Sequence, residues 1–289
     1  MARANSSDLR LPDLRFVPVA ALVPHEQPDE QRLEPLVKRF REQAVLRNPP
    51  VVAPLAGAGE ANARYMVLDG ANRSSAARAA GLPHMVVQVV RYDDPGVQLL
   101  TWYHALDDSP RPGLEGELTR IPGLTIRPDR RLHAQAALAR REALACVVFL
   151  DGAVATLHGG SDLVERNQLL NAVVDCYRSR GRFHRVTGDS IEEARARHPE
   201  VTALVLFPHF EPAEIIELAT SGARLPAGIS RHVIPWRALR VNVPLERLSD
   251  PETPLEEKNR WLTGWLKEKL TQRQVRFYQE PTVFRRVSR

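Results

Sequence analysis

The chain has 289 residues, 43% of them hydrophobic and 26% charged, with a formal net charge of +5 from 40 basic and 35 acidic side chains. That length supports one large or two ordinary packed domains, and no apolar run approaches the ~20 residues that span a bilayer. Only four of the basic residues are lysines and the arginines lie scattered among acids, so the charge suits a small acidic ligand at least as well as a polymer.

Met1 to Arg15 alternate polar and charged residues without an apolar signal core. The two cysteines, Cys146 and Cys176, have no metal-ligand spacing. A reduced, cytoplasmic protein is the expectation. Leu22-Val23-Pro24-His25-Glu26 reads as a short strand ending in a turn, and Arg32 to Gln43 as a helix. Asn48-Pro49-Pro50-Val51-Val52 opens the next strand. Gly57-Ala58-Gly59 leads into another strand rather than a helix, so it reads as a hairpin loop and not a dinucleotide fingerprint. Arg64 to Leu68 reads as a buried strand and Ser74 to Ala80 as a helix of small residues.

Between those last two elements the chain must turn sharply at Gly70. The first N–H groups of a helix have no partner within it and point back at such a turn, forming an anion site to which Arg73 adds a planar cation. Asp69, at the strand end, is placed to hold magnesium against a phosphate. The plainer alternative is a strand-turn-helix in which Arg73 pairs with Asp69 or Glu42. No Gly-Lys-Ser/Thr phosphate loop occurs, and His25-Glu26 has no second histidine at zincin spacing.

Asp107 to Gly113 is a polar, proline-rich break that divides the chain into residues 1–106 and 107–289. Beyond it, Leu132 to Leu144 reads as a helix, and Cys146 to Leu157 as a hairpin around Asp151-Gly152. A helix from Leu163 to Tyr177 carries Asp162 and Glu165 in capping-box spacing, and Ser190-Ile191-Glu192-Glu193 opens another. Arg182 to Val186 and Ala203 to Phe207 read as strands, and Pro212 to Thr220 and Leu255 to Leu270 as helices. Trp261 and Trp265 on the last are most simply core residues. The mixture is α+β, or mixed α/β.

The order Pro-His-Glu strand end, helix, Asn-Pro-led strand and Asp-Gly-x-x-Arg turn resembles the fold shared by ParB partition proteins and sulfiredoxin. Within it, the Pro-His-Glu and Asp-Gly pair is most similar to the free L-serine kinases. The resemblance continues in Thr101-Trp102-Tyr103-His104, Pro226 to Ile234, Ala238 to Leu245, Glu256 to Asn259 and Arg276 to Glu280. It implies a ParB/sulfiredoxin-like nucleotide-binding domain followed by a mixed α/β substrate-binding domain. Two departures stand out: Ala71 and Asn72 replace histidines of the archaeal kinases, and the turn lacks the reactive cysteine of sulfiredoxins.

The resemblance implies phosphoryl transfer from ATP or ADP, with Mg2+, to the hydroxyl of free L-serine, giving O-phospho-L-serine. Glu26 is then the general base, or else a cap on the following helix. Asp69 holds magnesium, and Gly70, the N–H groups from Asn72 through Ser74 to Ser75, and the Arg73 side chain hold phosphate. Ser230 and Arg231 offer a hydroxyl, N–H groups and a guanidinium to the substrate carboxylate. Trp102 and His104 wall the pocket, unless Trp102 is ordinary core. Arg276, Tyr278 and Glu280 alternate along a strand, with Glu280 facing the substrate ammonium or a structural ion pair. The partners expected are serine and a nucleotide, with no membrane and no nucleic acid. The rival reading is a ParB-like nucleotide-binding regulator on DNA, which requires a helix-turn-helix where the 146–157 hairpin falls.

Overall fold

The structure, a computed structural model, describes residues 11–42, 44–55, 63–179 and 181–275. Gln43, Gly57-Ala58-Gly59 and Arg276, Tyr278 and Glu280 lie outside them. The first part of the chain forms β1 (Asp13–Pro18), β2 (Leu22–Pro24), α1 (Glu30–Glu42), β3 (Val45–Leu46), β4 (Val51–Leu55) and β5 (Arg64–Asp69). Then come α2 (Ala71–Ala79), β6 (His84–Val89), β7 (Gln98–Thr101) and β8 (Tyr103–Asp107). The middle holds α3 (Arg111–Leu118), β9 (Thr125–Asp129), α4 (Arg131–Ala139), β10 (Ala145–Phe149), β11 (Val154–His158) and α5 (Leu163–Arg178). The remainder is β12 (Phe183–Val186), α6 (Ile191–Arg197), β13 (Val201–Leu206), α7 (Pro212–Thr220), β14 (Ser230–Val233), β15 (Val243–Pro244), α8 (Leu245–Ser249) and α9 (Leu255–Thr271).

These make two main sheets, in strand orders β1-β6-β4-β5-β2 and β12-β8-β13-β10-β11-β9, with two-stranded ribbons β14-β7 and β15-β3. The class is the mixed α/β expected. Side-chain alternation along β5 explains why both its faces are apolar. Met66 and Leu68 pack with Leu106, Val147, Val205 and Leu218 of the second sheet and its helices. Val67 packs with Val52, Val86, Leu248 and Leu262 on the opposite side. One core therefore runs from the first sheet into the second.

The expected division at residue 106 differs from this architecture in two ways. β8 is interior to the second sheet, antiparallel to β12 and β13, so the crossing between sheets precedes Tyr103. Its sequence is short and apolar, and only its distant partners assign it. The C-terminal helix also returns to the first sheet. The Asn259 amide accepts from Phe16 N at 2.7 Å and donates to Phe16 O at 3.2 Å, serving β1 as an extra strand would. Trp261 lies tilted against Phe16, as a core residue should.

The proline-rich stretch is not a linker: α3 starts at Arg111, with Pro112 in its first turn, where a missing N–H costs nothing. Asp162 and Ser190 cap their helices, Glu165 N donating to Asp162 at 2.8 Å and Glu193 N to Ser190 at 3.2 Å, but the Glu165 carboxylate accepts from Ser161 rather than closing a capping box. The 146–157 hairpin forms, but its loop is Leu150-Asp151-Gly152, closed by Gly152 N donating to Phe149 O at 3.0 Å. No described helix is long and apolar enough to cross a membrane.

The amide of Asn259 replaces a neighbouring strand, so Asn259→Ala leaves Phe16 N–H and C=O without partners at a half-buried edge. We expect a loss of about 1–3 kcal/mol in stability, measured by urea unfolding; an unchanged midpoint would contradict the docking role.

Candidate active site

β2 and β5 run side by side in parallel, with Pro24 opposite Val67. Glu26 and Asp69 each follow two residues later, so both carboxylates leave the carboxyl ends of adjacent strands, the edge where open α/β sheets take ligands. Glu26 is not a cap on α1. Its Oε2 accepts from Gly228 N at 3.0 Å, and its Oε1 accepts from Ser230 N at 2.7 Å and Ser230 Oγ at 2.6 Å. The 226–230 arch is held there because Leu225 exchanges backbone hydrogen bonds with His25 and Gln27, both at 2.8 Å.

Two histidines stand behind this arch. His25 is buried, its Nδ1 lying 2.5 Å from Val67 O and its Nε2 2.7 Å from Ser230 Oγ. The Ser230 hydroxyl, which donates to Glu26, thus lies between that carboxylate and the ring. His104 is wholly buried, its Nε2–H donating to Gly228 O at 3.1 Å and its Nδ1 accepting from Tyr177 at 2.7 Å. It therefore does not wall a pocket, as its sequence position suggested; it supports Gly228 from inside the core. Gly228 has φ +83°, a conformation strained for other residues, and a Cβ there would have to displace the Arg185 guanidinium.

At the Asp69 turn, Gly70 takes φ +100°, as a sharp turn requires, and a Cβ there would meet the Arg73 guanidinium at 2.8 Å and Pro50 at 3.0 Å. The helix begins three residues earlier than its small-residue pattern indicated. Ser74 is buried, its N–H donating to Gly70 O at 2.9 Å and its hydroxyl to Ala71 O at 3.0 Å, and Ser75 N falls within the helical ladder. The N–H groups open to an anion are thus those of Ala71, Asn72 and Arg73, not a set reaching Ser75. Asn72 also uses its side-chain oxygen to accept from Asp29 N at 2.7 Å, tying down the segment after Glu26.

Arg73 Nη2 pairs with Asp69 Oδ2 at 2.6 Å, the ion pair weighed from the sequence. A second guanidinium, from Arg237, reaches the same oxygen. Burial lowers the Arg73 pKa most, Asp69 opposes this, and Arg237 lowers it further. Arg73 Nε is buried with no hydrogen-bond partner among the described residues. Both contacts fall on Oδ2 of Asp69. No group of three His, Cys, Asp or Glu side chains that could hold a metal ion occurs among the described residues.

Ser230 and Arg231 do not form one carboxylate clamp. Alternation along β14 sends Ser230 and His232 towards His25, whereas Arg231 stacks on Trp102, 4.9 Å from ring centre to guanidinium carbon. Trp102 is half-buried, and Arg231 has no ion pair among the described residues. His232 meets Tyr92 Oη at 2.9 Å, and burial pulls its pKa down to about 3. A cavity of about 480 Å3 lined by Asp107, Glu117, Tyr177 and Glu200 lies elsewhere and touches none of the residues around Glu26 or Asp69. Sequence reading missed His25, His232 and Arg237, and also Gln88, whose polar side chain within the run Met85 to Val90 was the one visible signal.

No family model matches the chain. It is 24% identical over 235 residues to an ATP-dependent L-serine kinase of Staphylothermus marinus, covering 81% of this chain and 90% of that protein. To the ADP-dependent L-serine kinase SerK of Thermococcus kodakarensis it is 22% identical, covering 82% and 93%. A solved free serine kinase in complex with AMP superposes with a TM-score of 0.68 at 21% identity, over 84% of this chain and 98% of that one. C-terminally truncated SbnI from Staphylococcus aureus gives 0.67 at 23%, over 89% and 97%. The chain has the fold of the free serine kinases and SbnI.

Burial also pulls the His104 pKa down to about 3, against 6.5 when unfolded. A base whose folded pKa is lowered makes the unfolded state bind more protons between those values, so stability falls as pH drops from about 6.5 towards 3. We expect the melting temperature to fall over this window, and to fall less steeply in His104→Gln, which carries no titrating ring. Equal slopes in both proteins, by calorimetry, would contradict the assignment.

Proposed function

We propose that this protein is a free L-serine kinase, transferring the terminal phosphoryl group of ATP or ADP to the serine hydroxyl. The observation that carries this reading is the Glu26 carboxylate, oriented by three hydrogen bonds at the same strand edge as the Asp69–Arg73–Arg237 cluster. The similarity to L-serine kinases over four-fifths of the chain supports it.

A neutral hydroxyl attacks phosphorus readily only if its proton has somewhere to go. Oε1 of Glu26 is filled by Ser230, whereas Oε2 carries one bond and retains a free lone pair. The serine proton passes to Oε2 as the new O–P bond forms and the bond from phosphorus to the bridging oxygen of the nucleotide breaks. The open N–H groups of Ala71 to Arg73, with the guanidiniums, stabilise charge on the transferring group. Asp69 would hold magnesium, which would supply further neutralisation of that charge. We assign Arg231 to the serine carboxylate, since its guanidinium is fixed by Trp102 and lacks an anionic partner among the described residues. Glu280 for the ammonium, and Arg276, remain proposals of sequence alone.

Glu26→Gln should lower the rate of O-phosphoserine formation by about 10²–10⁴ while nucleotide affinity stays within a few-fold. Wild-type turnover in a folded variant would end the assignment. In contrast, Arg231→Ala should raise the KM for serine by about 30-fold or more, the cost of an unpaired carboxylate, and leave nucleotide binding intact. Calorimetric titration of both ligands checks it; lost nucleotide affinity with unchanged serine affinity would reverse the division of labour.

A further inference from the structure

We propose that Arg237 binds the terminal phosphate of the nucleotide donor and that the buried amide of Gln88 positions it, an inference that rests on the kinase reading and names a further ligand of the same site. The loop joining β14 to β15 carries Trp236, Arg240 and Asn242 at φ +53°, +53° and +57°. Side chains rarely adopt this left-handed region, and such residues persist only where their surroundings over-determine them.

Gln88 supplies much of that determination. It is 3% exposed near the end of β6, between two valines, where an unpaired amide would be costly. Both of its ends are spent on the loop: Nε2 donates to Trp236 O at 3.2 Å and Oε1 accepts from Ala238 N at 2.8 Å. Arg237 is the residue between those two anchors. Asn48 adds a third, its Oδ1 accepting from Arg240 N at 2.8 Å. The backbone of Arg237 is thereby fixed over the first sheet, and its guanidinium reaches Asp69 across the seam.

The charge count at that point calls for an anion. Two guanidiniums share one carboxylate oxygen, leaving an excess of one positive charge beside the open N–H groups of α2. Arg73 Nε, buried and unpartnered among the described residues, is a further unused donor in the same cluster. The Arg237 side chain is 32% exposed, so an incoming ligand can reach it. A terminal phosphate presents three oxygens in the geometry a guanidinium fork matches, and it would take Arg237 from Asp69 without any covalent change at the arginine.

The competing account is a staple in which Arg237 merely joins the two parts of the chain through Asp69. Titrating ATP, ADP and AMP into the full-length protein separates the two. Arg237→Ala should lose about 30-fold or more in affinity for ATP and ADP while AMP affinity changes by no more than a few-fold, and Arg237→Lys should recover only part. Gln88→Leu should show the same selective loss, and adding it to Arg237→Ala should cost nothing more. Should Gln88→Leu fail to fold, Gln88→Glu keeps the acceptor for Ala238 N and removes the donor to Trp236 O. Equal losses for all three nucleotides, or none, would overturn the phosphate role; additive losses would overturn the positioning by Gln88. Wild-type protein that binds ATP but makes no phosphoserine would end the kinase reading while leaving this inference standing.

Discussion

The Glu26 carboxylate held in the 228–230 arch is the contact on which the rest of the site depends. It joins residues more than 200 positions apart, and each neighbour serves it. His25 fixes Ser230 from one side, His104 fixes Gly228 from the other, and the positive φ of Gly228 bends the backbone so that successive N–H groups point at one carboxylate. Removing Glu26 would leave those donors unpaired, so the carboxylate and the arch are mutually dependent. Because the core is continuous between the sheets, the Glu26 carboxylate is held in the arch without closure of two halves.

The Asp69 cluster follows a different logic. Glu26 needs one fixed orientation, which neutral donors and buried rings provide. The proposed phosphate role needs positive charge that can exchange partners, which two arginines on a single carboxylate would provide. Both devices sit at the ends of neighbouring strands because β2 and β5 are parallel and in register. The strand pairing thus sets how far the Glu26 carboxylate lies from the Asp69 cluster.

Local chemistry made much of this legible in the sequence. The turn at Gly70, the apolar β5, the caps at Asp162 and Ser190, and the Pro-His-Glu strand end each depend on residues within a few positions. What the sequence concealed depends on distant partners. β8 is apolar enough for either sheet, and only pairing with β12 and β13 decides it. The start of α2 was misread because Ala71, Asn72 and Arg73 show no apolar periodicity. Ser230 read as a substrate ligand, since nothing local says that a glutamate 204 residues earlier takes its donors. Arg237 looked like one arginine among many because its partner lies 168 residues away.

The central claim is that this arrangement phosphorylates a free amino acid. Phosphorus NMR of the purified protein with magnesium, ATP or ADP, and separate samples of serine, homoserine and threonine tests it most directly. The account predicts an O-phospho-L-serine resonance growing as the terminal phosphate signal of the donor falls. Nucleotide left intact, or split to inorganic phosphate with no phosphoserine in the presence of serine, would contradict it.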